Sequence, residues 1–381
     1  MKKGNKNLQV VILTCTQSAQ RINYYNVLGQ MCKLTVIAER ETPEKILHNY
    51  DAKPYSYQSI YLKGLPMFGY MAFCPSIIKI LENRNFDIII VEQYATPTAF
   101  LAINYLNRHS IPFVISADGG FPNEEENFLK YHFKKSLISK ASFWITGGKE
   151  SIGYLEHYGA DPTRTKVFKF SPYSKKDQIE QETTSEKKQE VRNKLNMQEQ
   201  KVIVSVGQQI HRKGFDVLLR AMQKMKLSDN EVGLYILGGQ PNEECQVILN
   251  EMSMTNVHFP GLVTKDQLKL YYAAADLFVF PTRYDIWGYP INEAMSFGLP
   301  IITTYQCNAG LELIEDGVNG YLVEAEDVAA LSSAIITLLK DDELRIEMGK
   351  RNYIKSKDYT SETMAESIYE IIRNFAQEAG K

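Results

Sequence analysis

VIVSVGQQIHRKGFDVLLRAM, residues 202–222, holds a strand, a loop and the start of a helix in immediate succession. The apolar run ending at Gly207 has the composition of a buried strand, predicted over Lys201–Val206. A helix then starts at Gly214 or Phe215, and Lys213 stands just before it. Backbone N–H groups at such a helix end are unpaired, and the helix dipole favours an anion there. Lys213 would add a mobile positive charge, which makes this a phosphate site. The alternative is a solvated Lys–Arg pair before an ordinary helix.

The same alternation extends in both directions. Upstream, strands are predicted at Leu8–Thr14, Leu34–Ala38, Asp87–Glu92, Pro112–Ala117, Ser142–Thr146 and Lys166–Phe170. Helical patterns lie between them, near 21–29, 73–83, 96–108, 125–139 and 148–158. Downstream strands are predicted at Val232–Leu237, Val257–Phe259, Asp276–Phe280, Pro300–Thr304 and Tyr321–Val323. Helices there fall near 214–226, 242–252, 265–274, 290–297, 309–315, 326–340, 342–356 and 360–378. Short apolar strands alternating with helices imply parallel sheets covered on both faces. The polar stretch 171–195 reads as a linker whose later part, from Thr184, is a surface helix. The expected class is α/β, with two doubly wound Rossmann-like domains. One spans 1–170 and is joined by a C-terminal helix within 360–381; the other spans 171–359. Two such domains facing each other would place ligands at the carboxyl ends of their strands.

A second stretch, DLFVFPTRYDIWGYPINEAMSFGLPIITT (276–304), carries further polar groups. A buried strand is expected to end at Pro281, and a loop then holds Asp285, Trp287 and Gly288. Pro290 suits the first turn of a helix, where its missing N–H costs little. Glu293 is expected in that turn as well. Asp285 and Glu293, eight residues apart across a loop–helix junction, are not placed as a general acid–base pair on one face but can sit at opposite ends of one elongated polar ligand. The plainer readings are a solvated loop acid and an acid placed to suit a helix dipole.

Composition narrows the class. The 381 residues are 44% hydrophobic and 23% charged, with 43 basic and 45 acidic side chains and a formal charge of −2. A dedicated nucleic-acid binder would be clearly basic, and a disordered chain would be less apolar. The balance conceals an asymmetry: residues 1–180 carry a net charge of +6 and residues 181–381 a net charge of −8. Five scattered cysteines form no C-x-x-C pair, so neither a disulfide frame nor a zinc knuckle is expected, and a reducing cytosol is the expected compartment. The four-residue apolar run Val10–Leu13 is short for a signal peptide, and no stretch approaches a membrane span. Walker A, G-x-G-x-x-G, G-x-S-x-G, H-E-x-x-H and D-x-D patterns are absent, and the histidines show no metal-ligand spacing.

The order strand–G–x5–K–G–helix, then D-x7-E before a helix, then FGLPII, resembles the group 1 glycosyltransferases (glycosyltransferase family 4), which have the GT-B fold. The resemblance is strongest over 201–325 and weaker over the first domain. It implies that the second domain binds a nucleotide-diphosphate sugar, most simply a UDP-sugar. By residue, it implies that Lys213 pairs with the donor diphosphate, Asp285 contacts sugar hydroxyls and Glu293 holds the ribose. It further implies that Gly288 and Tyr289 lie against the diphosphate, while Leu262, Val263 and Thr264 pack the base. Three departures stand out. Gln208 follows Gly207 where most members have Arg; Arg212 or His211 could replace the lost charge, and Arg212 is the expected substitute. Asp285 replaces the usual Glu. Pro290 removes one backbone N–H. The family retains anomeric configuration and needs no cofactor or bound metal. The leaving phosphate oxygen would take the acceptor's proton, with Lys213 and the helix end at Tyr289–Pro290 stabilising the charge.

In the first half, PFVISADGGF puts Asp118 at a strand's carboxyl end, where it would contact the transferred sugar or acceptor; a plain turn acid is the alternative. Arg21, the only charge in the loop TQSAQRINYY, would approach an anionic acceptor or the donor phosphate. NEEENFLKYHFKKSLISK (123–140) reads as an amphipathic helix with an apolar stripe of Phe128, Leu129, Phe133, Leu137 and Ile138. Its Lys130, Lys134 and Lys135 suit an anionic membrane if the stripe meets lipid; otherwise the stripe is buried on the sheet. The aromatic stretch 55–75 is core packing in part, and an acceptor groove for sugar or lipid in part. The expected activity is transfer of a hexose from a nucleotide sugar to a glycan or lipid-linked acceptor in envelope polysaccharide assembly (capsule, exopolysaccharide or O-antigen), by a cytoplasmic protein touching the membrane peripherally. The alternatives are a silent accessory protein that binds nucleotide sugar, or an epimerase or phosphorylase of the same fold.

Overall fold

Two all-parallel sheets organise the chain. The computed structural model describes residues 8–41, 55–67, 69, 71–82, 86–123, 125–179, 184–225, 231–251 and 255–378. The chain divides into two units: Met1–Lys175 with Tyr359–Lys381, and Lys176–Asp358.

The first unit runs β1 (Gln9–Thr14), α1 (Ala19–Met31), β2 (Lys33–Ala38), β3 (Gln58–Tyr61), β4 (Leu65–Pro66), β5 (Ala72–Phe73), α2 (Ile77–Glu82), β6 (Ile88–Glu92) and α3 (Pro97–Arg108). It continues with β7 (Val114–Ala117), α4 (Phe128–Ile138), β8 (Phe143–Thr146), α5 (Glu150–His157) and β9 (Thr165–Val167). Its seven-stranded sheet has the order β3-β2-β1-β6-β7-β8-β9. Val10, Val36, Ile90, Val114 and Ile145 are almost wholly buried, which is why these runs lack the polar alternation of a half-exposed strand.

The second unit runs α6 (Ser185–Lys194), β10 (Lys201–Val206), α7 (Phe215–Met225), β11 (Val232–Leu237), α8 (Glu243–Glu251), β12 (Val257–Gly261), α9 (Lys265–Ala274) and β13 (Leu277–Phe280). It continues with α10 (Tyr289–Ser296), β14 (Ile301–Thr304), α11 (Asn308–Leu313), β15 (Gly320–Val323), α12 (Val328–Lys340) and α13 (Asp342–Ser356). Its sheet order is β12-β11-β10-β13-β14-β15. The last helix, α14 (Ser361–Glu378), belongs to the first unit, where it packs on α1 and stacks Phe375 on Phe143 at 5.0 Å.

Numbered within its own unit, the second sheet reads 3-2-1-4-5-6, the doubly wound order of a Rossmann domain. Two Rossmann-like units in one chain are the architecture of the GT-B fold. In such a sheet the strand order reverses between its first and fourth strands, and ligands bind outside the carboxyl ends at that point. Here that point lies after β10 and β13.

Several local expectations change. The stretch 55–75 supplies β3 at the sheet edge and the β4–β5 hairpin. Tyr57 is buried and its hydroxyl donates to Gln17, so part of the aromatic content is core, while Leu65 and Met67 are exposed. Phe68 and Tyr70 of that stretch lie outside the described residues. Arg21 lies in the first turn of α1, not in a loop. The stripe on α4 divides: Leu137 and Ile138 are buried, whereas Phe128 is 72% and Leu129 76% exposed, and Phe133 is also exposed.

Candidate functional site

The loop after β10 is shaped by Gly214. It has φ of +69°, and a Cβ there would sit 2.0 Å from the carbonyl oxygen of Pro281. Only glycine permits that conformation and that approach. The contact seats the short helical turn His211–Lys213 against the end of β13. Thr282 and Arg283 complete the junction by donating to the Arg212 carbonyl, from Oγ1 at 3.0 Å and from the backbone at 2.9 Å. Arg283 also grips Asp216 through two hydrogen bonds, at 2.8 and 2.7 Å, and pairs with Glu326.

Lys213 is thereby held 7% exposed at the strand-order reversal. Its Nζ donates to Asp285 Oδ2 and lies 4.7 Å from the centre of the Phe280 ring. Arg212 Nη1 reaches the same carboxylate oxygen at 3.2 Å and donates to the Tyr284 carbonyl at 2.6 Å. Asp285 is fixed through its backbone: its N–H donates to the Gln306 carbonyl, and its carbonyl accepts from Asn308. The sequence separated a diphosphate cation from a sugar-binding acid; in the described structure they form one ion pair, joined by Arg212.

Gly288 caps α10 with φ of +103°, and a Cβ there would meet Cys307 Sγ at 2.6 Å. Tyr289 and Pro290 open the helix; Pro290 has no N–H to offer, and the Ile291 N–H donates to the Gly288 carbonyl at 3.0 Å. Glu293 is the fifth residue of α10 and not in its first turn, which corrects its expected position and removes the helix-dipole explanation. Its Oε2 accepts from the Tyr272 hydroxyl at 2.8 Å. Burial pushes the Glu293 carboxyl up to about 7, against the lowering pull of the Tyr272 hydrogen bond and of Lys265.

The other sequence candidates divide. Gly207 directly follows β10, and its N–H donates to the Leu237 carbonyl. Gln208 is exposed; its neighbour Gln209 instead has both amide atoms buried without a partner among the described residues. A buried unpaired amide calls for a partner, and it sits against Gly239 at the end of β11. Leu262 is 86% exposed, an apolar side chain offered to solvent beside half-buried Val263. Thr264 is occupied as the cap of α9: its hydroxyl accepts from the Gln267 N–H at 3.3 Å while the Gln267 side chain accepts from the Thr264 N–H.

In the first unit Arg21 does not present a free charge, contrary to expectation. It is 8% exposed and bonds both Asp118 oxygens, at 2.7 and 2.6 Å, and also Glu92. Tyr24 and Tyr25 donate their hydroxyls to Glu92. Burial disfavours the Arg21 charge, but Asp118 and Glu92 outweigh it and hold the guanidinium firmly protonated. Asp118 keeps partial exposure, so its carboxylate borders solvent while anchored from behind. On α4, Lys134 is also engaged, by Glu126 at 2.6 Å and the Tyr158 ring at 4.8 Å. Lys130 remains 65% exposed. Lys135 is exposed and lies over the Tyr131 ring.

Sequence reasoning missed Gln209, Arg283 and Tyr272. Only Arg283 carried a signal, as a cation in the loop after β13. Among the described residues no three His, Cys, Asp or Glu side chains are placed to share a metal ion, and no helix is long and apolar enough to cross a membrane.

Residues 187–355 match the family model described as glycosyl transferases group 1. The chain is 29% identical over 178 residues to an uncharacterized glycosyltransferase of Haemophilus influenzae, covering 46% of this chain and 50% of that protein. It is 29% identical over 168 residues to a GDP-mannose-dependent alpha-(1-6)-phosphatidylinositol monomannoside mannosyltransferase of Mycolicibacterium smegmatis, covering 42% and 44%. The chain thus spans about half the length, or less, of these curated relatives. In structure it is similar to HepE of Anabaena in complex with UDP, with a TM-score of 0.76 at 18% identity, covering 96% of this chain and 100% of that one. It is also similar to WaaG, a glycosyltransferase involved in lipopolysaccharide biosynthesis, with a TM-score of 0.69 at 16% identity, covering 95% and 99%.

Proposed function

We propose, from the match of residues 187–355 to the group 1 glycosyltransferases, that the chain moves a hexose from a UDP-linked donor to a glycan or lipid-linked acceptor. The observation that carries this reading is the Lys213–Asp285–Arg212 cluster, seated where the strand order reverses. It offers two cations for a diphosphate and one carboxylate for sugar hydroxyls.

In the proposed complex the donor diphosphate takes up Lys213 and Arg212, and the bare backbone of Gly288 lets it approach Tyr289 at the start of α10. Asp285, released from part of its pairing, accepts from the sugar hydroxyls. Glu293 accepts from the ribose once ionised. Gln209 supplies a further donor and acceptor, and Leu262 and Val263 cover one face of the base. Breaking the glycosidic C–O bond builds charge on the leaving diphosphate, and fixed cations stabilise that charge without reorganising. The leaving phosphate oxygen takes the acceptor's proton on the same face, so configuration is retained and neither a protein nucleophile nor a metal is required. Asp118, held by Arg21, contributes to the acceptor side. Donor choice is open to test, because the M. smegmatis relative is named for GDP-mannose and HepE was solved with UDP.

A peripheral membrane contact and a role in envelope polysaccharide assembly belong to the same proposal. Phe128 and Leu129 project from the start of α4, and Phe133 stacks on exposed Phe100 at 6.0 Å. Lys130 and Lys135 flank them. Apolar side chains beside cations suit an anionic lipid surface.

The test is a donor screen by thermal shift and slow hydrolysis with UDP-, GDP-, ADP- and TDP-sugars. A UDP-sugar is expected to raise Tm most and to be hydrolysed, both effects disappearing in Lys213→Ala. Stabilisation by none of the donors would refute the enzyme reading.

A further inference from the structure

A second polar cavity lies at the opposite end of the second sheet. Its volume is about 420 Å³, and it opens beside the amino ends of β10, β13 and β14. A strand of six residues separates this end from the Lys213 site, a span of about 20 Å at ~3.3 Å per residue. The volume falls within the range of small-molecule sites.

Its charge is unbalanced. Lys188, Arg192, Lys201, Arg345 and Lys350 line it, against two acids, Asp276 and Asp342. Each acid serves two cations: Asp276 pairs with Lys188 at 3.1 Å and Arg192 at 2.5 Å, and Asp342 with Lys201 at 2.8 Å and Arg345 at 2.7 Å. Arg192 and Arg345 are buried and spend further N–H groups on the carbonyls of Ala274 and Leu338. They form the rigid wall. Lys188 and Lys201 line the space with ammonium groups shared with those acids, and Lys350 adds an exposed one at its rim. Burial lowers the Lys188 pKa, and Arg192 and Arg345 lower it further, while Asp276 opposes them. An excess of positive charge around a half-open polar cavity attracts an anion into it.

The cavity also touches the donor side. Tyr272 lines it, and the Tyr272 hydroxyl is the one that donates to Glu293. Phe297, another lining residue, ends α10 and stacks on Tyr272 at 5.5 Å. A ligand pressing on these two rings therefore acts on the helix that carries Glu293.

We propose that this cavity binds a small phosphate-bearing molecule, and that its occupancy changes donor affinity through Tyr272 and Glu293. The binding half stands alone; the coupling half rests on the donor-site reading above.

Two probes test it, inorganic pyrophosphate and glucose 6-phosphate, titrated calorimetrically into the full chain. Expected is one site per chain for at least one probe, unchanged in Lys213→Ala and weakened at least tenfold in Lys201→Met/Lys350→Met. Lys350→Met alone is the fallback if the double variant melts early, with severalfold weakening expected. Binding of neither probe, loss in Lys213→Ala, or indifference to the lysine variants would overturn the site. UDP is then titrated with and without saturating probe. Its affinity should shift, the probe's affinity should shift by the same factor in the presence of UDP, and both shifts should vanish in Tyr272→Phe while probe binding persists. An unchanged UDP affinity overturns the coupling. Failure of UDP to bind at all refutes the donor-site reading, and with it the coupling, while the first arm still decides the site.

Discussion

Replacing Glu293 by Gln separates what this residue does for the fold from what it does for a ligand. Burial raises the carboxyl to about 7 from an ordinary value of 4.5. That gap is worth about 3 kcal/mol at ~1.4 kcal/mol per pH unit. The sign follows from proton counting. Between pH 4.5 and 7 the folded chain holds a proton that the unfolded chain has released, so stability falls as pH rises through that window. Above pH 7 the full cost is present, and below pH 4.5 it is absent. Glutamine has no charge to bury and keeps a carbonyl oxygen for the Tyr272 hydroxyl. The variant should therefore match the parent near pH 4.5 and exceed it by up to ~3 kcal/mol at pH 8, a gain of about 6–12 °C in Tm for a unit of this size. UDP affinity at pH 8 should move the other way, by about tenfold, since a charge-assisted hydrogen bond to the ribose is lost. Melting curves at pH 5 and 8, with calorimetric UDP titrations at pH 8, read both effects. A stability change that is the same at both pH values would refute the reasoning.

Lys213→Ala should lower sugar transfer at least a hundredfold, the scale for removing one preorganised group that meets charge developed in a transition state; the chain should still fold, as circular dichroism would verify. Arg21→Met leaves Glu92 and Asp118 near each other without their shared cation, so chemical denaturation should show a loss of about 3–5 kcal/mol. Phe128→Ser/Leu129→Ser should abolish sedimentation with anionic vesicles and leave Tm within about 1 °C, because both side chains are already solvent-facing. Equal sedimentation of parent and variant would remove the membrane reading.

Much of this arrangement was legible in the sequence because it depends on local backbone chemistry. The pair Lys213–Gly214 announces a left-handed residue before a helix, and the apolar runs announce buried parallel strands. The rest depends on contacts between residues far apart in the chain. Lys213 and Asp285 are 72 positions apart, and nothing in either neighbourhood says that they share a bond. Arg21 reads as a lone loop charge until Glu92 and Asp118 arrive from two other strands. The α4 stripe has the same spacing whether it faces a sheet or water, so periodicity left Phe128 and Leu129 undecided. The start of α10 lies one residue earlier than expected, which moves Glu293 just past the first turn, because helix starts are poorly marked when a proline can occupy either of the first positions.

The two sheets put a cation next to an acid at the same point, where their strand orders reverse. Their mobility differs. Arg21 is locked by two carboxylates, one of which is itself held by two phenols, and a competing anion would have to dismantle that lattice to reach it. Lys213 answers to one carboxylate, already divided with Arg212 and bordering the loop. On the proposed reading that carboxylate would act as a resident placeholder: it would keep the cations from standing bare when the crevice empties, and give them up to a stronger anion. One crevice is built as a fixed joint; the other would work as an ion exchanger, in which a departing diphosphate is helped out by the acid that reclaims its partners.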